Sequence, residues 1–220
     1  MNPVSKRLLF ILAIIGLTAG ILLSQLTNKP GQIAQTKTTI PGLLWPNPKQ
    51  IKPFQLIDQN GKPFNLGNLK GHWSLLFFGY THCPDICPTT MTLMNSVVKE
   101  LSEEKETVPQ VIFITVDPER DTQKHMTDYV AYFNPTFLGL TGTEEDVATL
   151  TKQLGILSMK ITGKNPANIK DYLIDHSASI LLIGPKARLI GIFSAPHDKT
   201  DIKQRYLAMV NFITSQDNQL

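Results

Sequence analysis

The chain has 220 residues, 42% of them hydrophobic and 18% charged, which excludes a disordered polypeptide and fits one packed domain with an appendage. Its net charge of +3 lies wholly in Lys6, Arg7 and Lys29, because no acid precedes residue 31. The remainder is balanced, with no basic surplus to hold a nucleic acid.

The first predicted element is LLFILAIIGLTAGILL, which follows Lys6 and Arg7 and opens an uncharged stretch, Leu8–Asn28, that as a helix reaches roughly 31 Å. It runs past Ala19 and Gly20 through Leu22, Leu23 and Leu26, longer than a cleaved signal peptide requires. The expectation is a single transmembrane helix. Lys6, Arg7 and the amino terminus place the N-terminus in the cytoplasm, and with no Arg- and Ser-rich transit peptide the C-terminal domain is expected in the periplasm of a bacterial inner membrane. Thiols oxidise in that compartment. By this reading the chain divides into a start and anchor at 1–28, a linker at 29–50, a domain at 51–214 and a tail at 215–220.

The domain begins with FQLIDQNGKPFNL, which alternates around Asn60-Gly61 and predicts a hairpin. WSLLFFGY, at 73–80, is an unbroken apolar run and predicts a central strand buried on both faces. Met91, Met94, Val97, Val98 and Leu101 recur at helical spacing, so a helix is expected from about Pro88, with Cys87 as its cap. VIFITV, at 111–116, predicts the next strand; a helix over 122–133, a short strand near 137–140 and a helix over 143–154 follow. A polar loop spans 162–169; then SASILLIG and ARLIGIF read as an antiparallel hairpin, closed by a helix over 199–214. The fold class is therefore α/β, with a largely parallel sheet covered on both faces. The element order is that of a thioredoxin-like domain with an N-terminal β-hairpin extension.

Cys83 and Cys87 are the only cysteines. Near a helix N-terminus both are biased toward thiolate, which attacks disulfides and binds metals alike. Three intervening residues leave room for a soft ion between the sulfurs and still permit a disulfide. A purely structural staple is the plainer alternative, and one closing so short a loop adds little stability. Two sulfurs are too few for most metal sites, so the five histidines are candidate third ligands. His176 enters a predicted core strand and can approach the cysteine end of the sheet. His72 and His197 fall in polar turns, and His125 lies among charges on a helix surface. His82 adjoins Cys83, and adjacent side chains diverge. Met91 and Met94 could supply thioether ligands, yet their spacing is that of core packing.

The motifs DQNGKPF, LKGHWSLLFFGYTHCPDICP, VDPERDT and DHSASILLIGP, in this order, resemble those of the Sco/SenC family of membrane-anchored copper chaperones. The resemblance covers roughly residues 51–214. It implies a thioredoxin-like domain in which Cys83, Cys87 and His176 bind copper, as Cu(I) or Cu(II), and hand it to the dinuclear CuA centre of cytochrome c oxidase subunit II. It also implies a periplasmic copper donor or thiol reductant as a further partner. Two thiolates and one imidazole suit copper, and an open three-ligand site can release its ion. Zinc is the chemical rival, but a structural zinc wants a fourth protein ligand. Asp117 and Asp121 match the family pattern, and read locally they start a turn and cap a helix.

The expected function is thus binding and delivery without turnover. The alternative is a membrane-anchored thiol-disulfide oxidoreductase that keeps the CuA-site cysteines of subunit II reduced, through a redox-active Cys83–Cys87 disulfide. Against it, W-C-x-x-C is absent and no proline directly precedes SASILLI. A peroxiredoxin would show P-x-x-x-T-x-x-C, but Leu76 and Tyr80 stand at those positions before Cys83, and Tyr80 and Pro84 before Cys87.

Overall fold

The computed structural model describes residues 39–162 and 172–217, with residues 14, 17, 18 and 20. The expected anchor over 8–28 and the polar loop over 163–169 lie outside these, save for four isolated positions. Among the described residues no helix is long and apolar enough to cross a membrane. The chain forms two units, Met1–Thr39 and Ile40–Leu220, and the second carries the strands described below.

Among the described residues of the second unit, ten strands and five helices follow in chain order: β1 (Lys49–Gln50), β2 (Gln55–Asp58), β3 (Pro63–Asn65), α1 (Leu66–Leu69), β4 (Ser74–Gly79), α2 (Ile86–Glu103), β5 (Gln110–Thr115), α3 (Gln123–Phe133), β6 (Leu138–Thr141), α4 (Glu144–Leu154), β7 (Ser158–Thr162), β8 (Tyr172–His176), β9 (Ile180–Gly184), β10 (Arg188–Phe193) and α5 (Lys199–Asp217). Eight strands form one sheet in the order β1-β10-β9-β4-β5-β6-β2-β3, and β7 and β8 pair separately as an antiparallel ribbon.

WSLLFFGY behaves as its composition requires: every residue of β4 is buried, with Leu75 and Phe77 in one core cluster and Leu76 and Phe78 in the other. The first cluster takes Met91, Met94, Val97 and Leu101 from α2, Met126 and Val130 from α3, and Tyr206 and Met209 from α5. The second takes Val147, Leu150 and Leu154 from α4, and Tyr172 and Ile174 from β8. Helices thus cover both faces, as the apolar spacing predicts.

The sheet is mixed, however, and not largely parallel. Only β4–β5 and β5–β6 are parallel; β9 runs antiparallel to β4, and β2 antiparallel to β6. Strands joined by short turns must pair antiparallel, and the two hairpins occupy opposite edges of the parallel core. The N-terminal hairpin is the predicted extension, with a wider turn: Gly61 N–H bonds Asp58 O, Asp58 N–H bonds Lys62 O, and of the loop residues only Gly61 takes positive φ, at 77°. That is a three-residue loop ending in a left-handed glycine, and Asp58 Oδ1 stabilises it by accepting from the N–H groups of Asn60 and Lys62.

The folded unit starts at Ile40, ahead of the expected boundary at 51. Leu43 bridges Gly191, and Lys49–Gln50 pairs with Arg188–Leu189, so β1 covers the edge of β10. A two-residue strand has no periodicity to read. The helix after the cysteines begins at Ile86, with Asp85 as N-cap; Cys87 is its second residue and Pro88 its third. Proline is tolerated there because the first-turn N–H groups have no intrahelical acceptor.

Candidate metal centre

The parallel strands β4 and β5 end side by side, and the loops leaving their carboxyl ends build the site, the usual place for one in an open α/β sheet. From β4, Gly79 leads into the loop Tyr80–Asp85. Cys83 N–H donates to Tyr80 O at 3.1 Å, which turns the loop into α2. Cys83 is half-buried and Cys87 fully buried, and both thiols are free.

Gly79 is glycine for a reason that lies on its neighbour. A Cβ built there would meet Cys87 Sγ at 2.6 Å and Phe113 Cε2 at 2.8 Å. The missing side chain is the space that the Cys87 sulfur fills.

His176 arrives from the other side of the chain as the last residue of β8. Its Nδ1 lies 3.2 Å from Ser177 O, an atom that only accepts, so the ring proton sits on Nδ1 and Nε2 is bare. Nε2 lies 3.4 Å from Cys87 Sγ. The Cys83, Cys87 and His176 donor atoms all lie within 4.8 Å of one another. No other group of three or more Cys, His, Asp or Glu among the described residues is so placed. An ion at roughly 2.0–2.3 Å from thiolate and imidazole donors would sit between them.

The sulfurs are electrostatically unlike. The Cys83 thiol is pulled down to about 4, first by the hydrogen bond it receives from Cys87, against its own burial, and by the backbone N–H groups of Asp85 and Cys87. Cys87 is pushed up, first because it donates that hydrogen bond to Cys83, then by burial. The pair therefore shares one proton, with the charge on the more exposed Cys83. A bound cation would displace the remaining proton and take both sulfurs as thiolates.

The histidine is held by residues whose contact with it the motifs do not reveal. The Phe77 and Tyr80 rings meet it edge-on at 6.2 and 5.8 Å. Tyr80 Oη accepts from Ile174 N–H at 3.2 Å, tying β8 to the cysteine loop two residues before His176. Asp117, wholly buried, accepts from Tyr172 Oη at 2.7 Å and Arg120 Nε at 2.5 Å, and Arg120 Nη1 donates to Tyr172 O at 2.9 Å. The start of β8 is thereby fastened to the loop after β5. His197, expected in a polar turn, is instead half-buried, and its Nε2 donates to Ala178 O at 2.6 Å, bracing the segment that follows His176.

Asp121 is likewise no helix cap; Thr122 is the N-cap of α3. Asp121 is wholly buried and accepts from Thr81 N–H at 2.9 Å, Thr81 Oγ1 at 2.6 Å and Thr115 Oγ1 at 2.7 Å. It anchors the cysteine loop to the end of β5. Met91 and Met94 are fully buried core residues, His72 is exposed, and neither His82 nor His125 joins the Cys83–Cys87–His176 group.

The sequence model of the SCO1/SenC family matches residues 46–211. The chain belongs to the SCO1/SenC family. Among its relatives, a SCO2-like protein of Rickettsia prowazekii is 40% identical over 142 residues, 64% of this chain and 67% of that one. The crystal structure of Arabidopsis thaliana ScoI with copper bound superimposes with a TM-score of 0.68 at 33% identity, covering 73% of this chain and 97% of that one. Yeast Sco1 with copper bound gives 0.69 at 31% identity, covering 74% and 90%. The SCO1/SenC domain here thus has the thioredoxin-like α/β fold of these structures, with its free cysteine pair and its histidine drawn together at one end.

Proposed function

We propose that this protein is a copper metallochaperone that binds one copper ion through Cys83, Cys87 and His176 and helps assemble the CuA centre of cytochrome c oxidase subunit II. The observation that carries the reading is the convergence of two sulfurs and a bare imidazole Nε2 within 4.8 Å. Soft sulfur donors favour copper, and the copper-bound relatives support the same metal. A three-donor site with an open position can pass its ion to a better-coordinated acceptor. Subunit II as the recipient rests on family membership, as does a periplasmic donor that loads the site. The anchor over 8–28, and with it a periplasmic domain on a bacterial inner membrane, rests on the uncharged apolar stretch and its flanking Lys6 and Arg7.

The test is copper stoichiometry on the reduced full chain in detergent, beside Cys83→Ser, Cys87→Ser and His176→Ala. One tightly held copper per chain, weakened by each change, is expected. Binding indifferent to His176 would sink the three-ligand site.

A second reading is favoured by one feature, the charged Cys83 beside a protonated Cys87. A low-pKa thiol next to a resolving partner can reduce another protein's disulfide and leave Cys83–Cys87 oxidised. Copper and the disulfide compete for the same sulfurs. A reduction potential close to that of periplasmic oxidants, in a protein that holds no copper, would transfer the function to this alternative.

A further inference from the structure

Beside the cysteine loop a pair of imidazoles, His82 and His125, faces the same pocket as Cys83. The pocket, of about 510 Å3, is lined by Thr81, His82, Cys83, His125, Asp128 and Tyr129, among others. The His82 and His125 rings stand 6.0 Å apart, edge to face.

The hydrogen bonds around them fix both tautomers. His125 Nδ1 lies 2.8 Å from Arg120 O, which only accepts, so Nδ1 carries the proton and Nε2 is bare. His82 Nδ1 lies 3.1 Å from Thr81 Oγ1, whose own proton is committed to Asp121 Oδ1 at 2.6 Å. His82 Nδ1 must therefore donate, and its Nε2 is bare as well. Behind the His82 ring stands the buried Asp121 carboxylate, 3.6 Å from Nδ1 and linked to it through Thr81. A carboxylate backing a histidine in this way orients the ring, as in metal-ligating histidines. Asp128 is already paired with Lys124 at 2.8 Å, so the imidazoles are the donors.

We infer that His82 and His125 form a second, weaker site for a borderline divalent cation, Cu2+ foremost, opening onto the pocket that Cys83 lines. Imidazole pairs take Cu2+ more tightly than the other common first-row divalent ions. The site is independent of the three-ligand centre; its use as a landing point for copper bound for Cys83 rests on the chaperone reading.

The full chain carrying Cys83→Ser, Cys87→Ser and His176→Ala, titrated with Cu2+ alone, isolates the pair. Equilibrium dialysis is expected to show one Cu2+ per chain, EPR to show imidazole nitrogen hyperfine structure, and His125→Gln to weaken binding at least tenfold. Equal binding with and without His125→Gln, or no binding, overturns the inference. Because that background alters the buried Cys87, the unsubstituted chain is given two equivalents beside its exposed-site variant His125→Gln. Loss of the second equivalent alone supports the inference, and its persistence overturns it. If the first equivalent fails while the second still depends on His125, the chaperone reading falls and the histidine pair stands.

Discussion

Gly79 shows how little room the sulfur has. Adding one methyl group at a position 2.6 Å from Cys87 Sγ and 2.8 Å from the Phe113 ring forces either the thiol or the ring to move. Gly79→Ala is expected to lower stability by about 1–3 kcal/mol, the usual range for overpacking a core, and to weaken copper binding by displacing one donor. Urea unfolding and copper competition on the same variant check both effects; unchanged affinity would mean that Cys87 is not a ligand. Asp121 is the opposite case, a residue whose loss leaves donors stranded. Asp121→Ala removes the acceptor for three hydrogen bonds and is expected to cost about 3 kcal/mol and to loosen metal binding 10- to 100-fold through the released cysteine loop. Chemical denaturation gives the first figure and copper competition the second.

At the scale of the elements, the segment from β8 into β9 is where support for His176 depends on pH. Burial holds the His197 imidazole below its ordinary value of about 6.5, outweighing the Ala178 hydrogen bond. The unfolded chain takes up this proton at a higher pH than the folded one does. Stability is therefore intact above about 6.5 and is lost as pH falls from there through the folded value. Urea midpoints at pH 7.5 and 5.5 are expected to differ less in His197→Gln than in the unsubstituted chain.

These supports also mark where sequence reading ran out. WSLLFFGY and VIFITV were legible because double burial demands unbroken apolar runs, and Cys83 and Cys87 because two cysteines four residues apart announce themselves. His176 was a candidate by its place before a core strand and was singled out by family resemblance. The ribbon of β7 and β8 was not legible: Met159, Ile161 and Leu173 are apolar yet exposed on it, so hydrophobicity along the two strands does not follow burial. Tyr80 and Arg120 escaped notice, and Asp117 was read as a turn residue, because their partners lie as far off as residues 172 and 174, and no local pattern encodes such a contact.

For the whole molecule, the proposed metal would be a long-range crosslink. Residues 83 and 176 belong to different halves of the domain, and an ion held by both would bind the folded chain and not the unfolded one. At a free copper concentration 1,000 times the dissociation constant, the expected stabilisation is about 4 kcal/mol, on the order of 10 °C in melting temperature. Calorimetry with and without copper measures it, and His176→Ala is expected to abolish most of the shift. A shift that survives that change would place the crosslink elsewhere.

The three donors do not share one scaffold. Cys83 and Cys87 follow a strand in the middle of the eight-stranded sheet, whereas His176 rides on a ribbon whose ladder pairs only with itself. The ribbon is fastened beside the site by Tyr172 and Ile174, buried in the core, and by a short set of polar ties through Tyr80, Asp117 and Arg120. On the proposed function, the two sulfurs and the imidazole would thus rest on separate supports, the sulfurs on the central strand and the histidine on the ribbon.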